Sequence, residues 1–123
     1  MVRKDLAMDY GKFGAQVSHA SLGALFKAGC WANGFTDFSL TDKFAIHWIE
    51  NSFTKVILAV DSEDRLVEIY DAAIALGLPA VLIEDEGRTC FDGVKTKTCV
   101  GIGPADIKKI NKITGNLPLY RTK

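Results

Sequence analysis

The chain has 123 residues, 48% of them hydrophobic and 24% charged, the size and composition of one globular domain spanning residues 1–123. This excludes a disordered tail and a collagen-like or coiled-coil rod, and no apolar run approaches the roughly 18 residues a membrane span needs. Net charge is zero, but Lys and Arg face acids six to five in residues 1–60, two to nine in 61–94 and seven to one in 95–123, which excludes a broad positive coat and still allows a local patch for an anionic partner.

The opening charge cluster Arg3–Lys4–Asp5 is followed by no clean apolar segment, so no signal peptide is expected. Cys30, Cys90 and Cys99 are odd in number and lack ligand-like pairing, and His19 and His47 add no metal pattern. Reduced thiols in a cytoplasmic protein, without a zinc site, are expected.

In chain order, residues 3–9 predict a weak first strand and Tyr10–Gly11–Lys12 a turn. From Lys12 to about Gly29, Phe13, Val17, Ala20, Ala24 and Phe26 recur at helical spacing, and Gly29 or Gly34 ends that helix. Asn33–Ser39 reads as a loop. Ser39 or Thr41 caps a second helix, carrying Phe44, Ala45, Trp48 and Ile49, that stops near Asn51. Thr54–Val60 is the clearest strand, and its continuous apolar run Val56–Val60 is expected where both sheet faces are covered. Asp61 or Ser62 caps a helix from Glu63 to Leu76, and Gly77 stops it. Ala80–Ile83 is a second buried strand, so the strand–helix–strand run predicts a parallel crossover.

Residues 84–96 read as a charged loop and Lys97–Ile102 as a fourth strand. Pro104 opens a short helix with Ile107, Ile110 and Ile113, Gly115 ends it, and Leu117–Tyr120 adds a short terminal strand. The elements predict one α/β layer fold with helices on both faces.

Lys12, Gln16 and His19, spaced by four and three, share one stripe of the first helix. A cation, an amide and an imidazole in line can hold a phosphate, orient a carbonyl and manage a proton; a solvated helix face fits the same spacing. Lys12 also lies near the helix start, where free N–H groups favour an anion. Asp85 follows a buried strand directly, and ligands of open α/β sheets bind beyond strand carboxyl ends. That makes Asp85 a candidate base or orienting group, with Gly87 allowing a sharp turn. Arg88 is either a phosphate ligand or a neutraliser of its acidic neighbours. The hydroxyls of Thr89 and Thr98 can position a water. Lys95 and Lys97, with Lys108, Lys109 and Lys112, can track a nucleic-acid backbone, and a solvated face suits them equally. Trp31, Trp48 and Phe91 are too sparse to read as a base-stacking platform, and Ser18–His19 lacks the turn of a serine-hydrolase elbow.

Val2–Arg3–Lys4–Asp5–Leu6, Gly11–Lys12, Ala15–Gln16 and Ser18–His19–Ala20 open an ordered set of matches. It continues through Ala73, Leu76–Gly77–Leu78, Asp85 and Gly87–Arg88–Thr89 to Thr98, Gly101–Ile102–Gly103–Pro104–Ala105 and Thr114–Gly115–Asn116–Leu117. Taken together, the chain resembles the archaeal and eukaryotic type of peptidyl-tRNA hydrolase. The resemblance implies a three-layer α/β/α fold with a mixed, mainly four-stranded sheet, and a homodimer. It implies hydrolysis of the ester joining a peptide to the terminal ribose of tRNA, without metal or organic cofactor. It also implies a catalytic set of Lys12, His19, Asp85, Thr89 and Thr98, with Gln16 in the same motif and Gln16, Lys55, Arg88, Lys95 and Lys97 meeting substrate.

In that scheme water attacks the ester carbonyl, Asp85 accepts or orients its proton, and Thr89 or Thr98 positions the water. Lys12 meets the oxyanion or a phosphate, and His19 binds the terminal adenosine, assists the proton or supports Lys12. Three departures stand out. Glu86 replaces a small residue beside Asp85, where a carboxylate facing the cleft would raise the Asp85 pKa and repel phosphates. Asn51–Ser52–Phe53–Thr54–Lys55 replaces a Gly–Gln–Pro/Ala–Lys-like stretch. The Thr89–Thr98 loop, with Cys90–Phe91–Asp92, is about one residue long. The alternatives are a non-catalytic RNA- or protein-binding module on the same fold and a structural dimer. Catalysis requires the first-helix stripe and Asp85 to face one cleft.

Overall fold

In the computed structural model, which describes residues 1–88 and 91–122, short strands alternate with amphipathic helices. β1 (Val2–Arg3) leads through a loop to α1 (Tyr10–Ala28), then β2 (Cys30–Ala32), β3 (Asp37–Ser39) and α2 (Lys43–Glu50). β4 (Ala59–Val60), α3 (Glu63–Ala75), β5 (Ala80–Asp85), β6 (Thr96–Ile102) and α4 (Ile107–Thr114) follow, with a 3-10 turn at Phe91–Gly93 between β5 and β6.

The main sheet is mixed and four-stranded, in the order β4-β1-β6-β5. β1 pairs parallel with β4 and antiparallel with β6, and β5 pairs antiparallel with β6. β4 and β5 therefore run the same way, as the crossover predicts, but at opposite edges with β1 and β6 between them. The N-terminal strand and the β5–β6 pairing occupy the positions that a simple crossover would leave adjacent.

α1 covers one face, resting on β5 and β6, while α3 covers the other and packs against α4. On the α3 face Val60, Leu66, Ile69 and Val100 are buried together. On the α1 face Val2, Ala20 and Cys99 are buried, with Phe13, Val17 and Ile83 against them. Alternation along β6 sends Val100 one way and Cys99 and Gly101 the other. Gly101 allows the closest approach: a Cβ there would collide with the Ala20 carbonyl of α1.

Several local expectations change. The first strand is only Val2–Arg3. Tyr10–Lys12 is the first turn of α1, because the Asp9 side chain accepts the Lys12 N–H at 2.9 Å as N-cap. The expected loop at 33–39 belongs to a hairpin pairing Trp31 with Phe38, turned where Asn33 and Gly34 take positive φ. Asp42, not Ser39 or Thr41, caps α2 by accepting from Phe44 and Ala45.

Only Ala59–Val60 of the long apolar run joins the ladder, and Val56 is exposed. The terminal segment covers that edge through a Leu58–Leu119 bridge and a hydrogen bond from the Ala59 N–H to the Pro118 carbonyl. Ser62 caps α3 as expected. Pro104 precedes α4, whose N-cap is Asp106. Among the described residues, no helix is long and apolar enough to cross a membrane.

Candidate active site

The N-cap at Asp9 sets the phase of α1, so Lys12, Gln16 and His19 rise on successive turns along one stripe. β5 runs two residues past its expected end, to Asp85. Its partner β6 carries a bulge: Ile83 faces Cys99, while the next residue, Glu84, faces Lys97. Thr98 is the extra residue, and a bulge re-aims a side chain. Thr98 and Cys99 both reach Gln16, the hydroxyl donating to its side-chain Oε1 and the thiol to its backbone carbonyl at 3.2 Å.

This pair decides the orientation of a buried amide. With Gln16 Oε1 accepting from Thr98, its Nε2 must face the Asp85 carboxylate, which it approaches at 3.5 Å. Lys12 Nζ donates to the same Asp85 oxygen, Oδ1, at 2.7 Å. The Gly87 N–H donates to Oδ2 at 2.9 Å. Gly87 can do so because it adopts φ +80 and packs directly on the Val94 backbone, 2.5 Å from where a Cβ would stand. The Lys12 hydrogen bond holds the Asp85 carboxyl below its ordinary value. The Gly87 N–H and the charges of Lys12 and His19 add to this, against the opposing push of burial.

Lys12, Gln16, His19, Ile83, Glu84, Asp85, Glu86 and Arg88 line an open cavity of about 310 Å³. Lys12 and Asp85 are each 14% exposed, enough for a substrate atom to reach them. The first-helix stripe and Asp85 thus face one cleft. A larger depression, about 490 Å³, lies at the other end of β5 near Lys27, Asp42, Pro79 and Lys109. Of the sequence candidates it holds Lys109 but none of the catalytic set.

The remaining predicted residues divide. His19 is exposed on the cavity wall. Thr98 is fully buried and contacts two lining residues, donating to Gln16 Oε1 and lying 3.5 Å from the Ile83 carbonyl. Thr89 lies outside the described residues. Arg88 pairs with Glu86 at 2.8 Å, both largely exposed, so the added carboxylate is matched by its own cation. Lys97 pairs with Glu84 at 3.7 Å, and Lys95 is exposed. Lys55 donates to the Phe53 carbonyl at 2.9 Å and lies over the Phe53 and Trp48 rings, on the approach to β4. Sequence reasoning does not assign Ile83 or Glu84 to the site, weighs Phe91 only among sparse aromatics, and assigns Gly87 a turn but not an N–H for Asp85; the Phe91 ring lies 5.8 Å from Lys12 Nζ. Position at the carboxyl end of a buried strand was the available signal for Ile83 and Glu84, and for Phe91 it was an aromatic in the loop that follows.

The family model described as peptidyl-tRNA hydrolase PTH2 matches residues 1–120. A peptidyl-tRNA hydrolase of Methanothermobacter thermautotrophicus is 41% identical over 120 residues, 97% of this chain and 95% of the relative. One of Sulfurisphaera tokodaii is 39% identical over 119 residues, 97% and 93% of the two chains. One of Methanopyrus kandleri is 36% identical over 121 residues, 98% and 95%. With likeness running from end to end and the polar cluster assembled in one cleft, the chain belongs to the peptidyl-tRNA hydrolase PTH2 family.

Proposed function

We propose that this chain, one domain over residues 1–123, hydrolyses the ester between peptide and tRNA at the Lys12–Asp85 pair, releasing reusable tRNA. The observation that carries this reading is the 2.7 Å contact between a first-helix ammonium and a loop carboxylate at the wall of an open cavity.

The acceptor capacity of Asp85 suggests where water sits. Among the described residues, Oδ1 takes Lys12 and Gln16 and Oδ2 takes the Gly87 N–H, which places an incoming water on the less crowded Oδ2 side. Held as a carboxylate at neutral pH, Asp85 orients that water and draws its proton as the water oxygen attacks the ester carbonyl. Lys12 turns part of its hydrogen bonding to the developing oxyanion. This weakens its hold on Asp85 and raises the basicity of the carboxylate when a proton must be taken. Collapse of the tetrahedral intermediate breaks the bond from carbonyl carbon to ribose oxygen, and that oxygen takes the proton Asp85 drew from the water, leaving as a hydroxyl and restoring the carboxylate. An ester is activated enough that no covalent enzyme intermediate is required.

Gln16 orients Asp85, and Thr98 is a positioning residue that acts through Gln16. His19 borders the cavity and stabilises the Asp85 charge. Thr89 belongs to the catalytic set through the resemblance alone. Arg88, with Lys95 and Lys97 along the β6 side, meets tRNA phosphates, and Lys55 meets tRNA farther from the reacting end. The protein acts in the cytoplasm as a homodimer. The exposed aromatic group of Phe26, Trp31 and Phe35 supports a contact between copies, and sedimentation equilibrium measures it.

The test is hydrolysis of purified peptidyl-tRNA. Wild type turns over, whereas Lys12→Ala and Asp85→Asn each lose about 10²–10³ in kcat. Normal turnover in both variants would sink the assignment. Binding of tRNA without turnover by the wild type would instead mark a non-catalytic RNA-binding module.

A further inference from the structure

Phe91 stands at the reacting pair without serving the core. Its φ is +63, in the left-handed region where a bulky side chain is a true outlier. Asp92 follows at φ 52, ψ 38. The turn closes through the Val94 N–H donating to the Phe91 carbonyl at 2.9 Å and is anchored by the Gly93 N–H donating to the Gly87 carbonyl at 3.1 Å. The second bond ties the Phe91 turn to the glycine that hydrogen-bonds Asp85.

Strain of this kind persists only where surrounding contacts impose it, and it concentrates at functional positions. Among the described residues, Phe91 is absent from all three apolar clusters and pairs with no other ring. Its described ring contact is the Lys12 ammonium, 5.8 Å from the ring centroid. The ring does not line the 310 Å³ cavity, so ring and cavity share Lys12 as a border.

We propose that Phe91 is a substrate-binding residue that stacks on the unpaired terminal base of the tRNA. The inference rests on the reading that the ester is cleaved at Lys12 and Asp85. The scissile ester sits on the ribose of that last nucleotide, which tethers the base one sugar away from the reacting carbon. The acyl side chain differs from one peptide to the next, whereas the terminal base is the same on every tRNA. A fixed flat ring beside the reacting ammonium therefore has a constant partner in the base. Sparse aromatics argue against a platform for several bases, but one ring suffices for one base.

The experiment compares wild type, Phe91→Leu and Phe91→Trp on peptidyl-tRNA, with a cytidine–cytidine–adenosine trinucleotide as competitive inhibitor. Phe91→Leu keeps apolar bulk and removes the π face. It is expected to raise KM about tenfold or more, leave kcat within about twofold, and weaken trinucleotide inhibition in parallel. Phe91→Trp is expected to retain wild-type KM and inhibition. Substrates ending in alanine and in phenylalanine should keep the same ratio of kcat/KM in all three proteins. An unchanged KM in Phe91→Leu overturns the proposal, as does unchanged trinucleotide inhibition. So does a shift in the alanine-to-phenylalanine ratio, which would make Phe91 a peptide-side-chain contact. Turnover by the wild type and its loss in Asp85→Asn report separately on the reading beneath.

Discussion

At the scale of single residues, the Lys12–Asp85 pair is backed by buried groups. Gln16 Oε1 is buried and satisfied by Thr98. Replacing Thr98 by valine keeps the shape and leaves that oxygen unpaired, at a cost of about 1–3 kcal/mol. The amide is then free to turn its oxygen toward Asp85. Thr98→Val should lower kcat about tenfold with little change in KM, whereas Thr98→Ser should restore the rate. Equal losses in both variants would show that packing, not the hydroxyl, matters.

The Asp85 carboxyl gives a second prediction. Its native pKa lies below the unfolded value of about 3.9. The Lys12 pair therefore stabilises the fold fully above that value, and the contribution disappears as pH falls through the native pKa. The stability gap between wild type and Asp85→Asn, measured by urea unfolding, should hold from pH 7 to 5 and narrow below about pH 4. A gap that widens on acidification contradicts the assignment. For the same reason, Asp85 contributes no acid limb to kcat/KM above about pH 4.

At the scale of elements, catalysis is a matter of how α1 lies on β5 and β6. Gly101 sets the spacing, since any side chain there meets the α1 backbone at Ala20. Gly101→Ala should cost at least about 1–3 kcal/mol through overpacking. It should also reduce turnover, because displacing α1 moves Lys12 and Gln16 together. Gly14, in the same helix, has open space around its missing Cβ. Gly14→Ala should therefore stabilise by about 0.5–1 kcal/mol, through helix propensity alone, and leave the rate unchanged. Urea melts beside hydrolysis rates separate the two glycines. The opposite result at either position would mean that helix–sheet spacing does not govern the site.

At the scale of the whole molecule, a chain with no net charge would, on the proposed reading, meet RNA through local cations such as Arg88. Salt dependence should then be shallow, and Arg88→Ala should reduce the slope of log kcat/KM against log salt by about one. An unchanged slope would leave Arg88 as a neutraliser of Glu86.

The same scale shows how much was legible in the primary structure. The long helix, the capped α3, the buried β5, β6 and the stripe of Lys12, Gln16 and His19 follow from periodicity, caps and glycine stops, which are local signals. The hairpin at 30–39 was missed although Asn33–Gly34 marks its turn, because β2 and β3 span three residues each and show little alternation. Val56–Leu58 read as strand because an apolar run resembles a covered strand, but whether its backbone pairs depends on a neighbour, and the terminal segment supplies it.

By itself, the order of residues determined the family, the layered α/β class and the residue types that can perform ester hydrolysis, since caps, periodicities and motifs are written along the chain. Only the tertiary structure decided that Lys12 and Asp85, 73 positions apart, share a hydrogen bond, that Thr98 faces inward, and that Phe91 borders the Lys12 ammonium. Those outcomes turn on a one-residue bulge and on the approach of a helix to a glycine, and a sheet register exists only once both strands are in place.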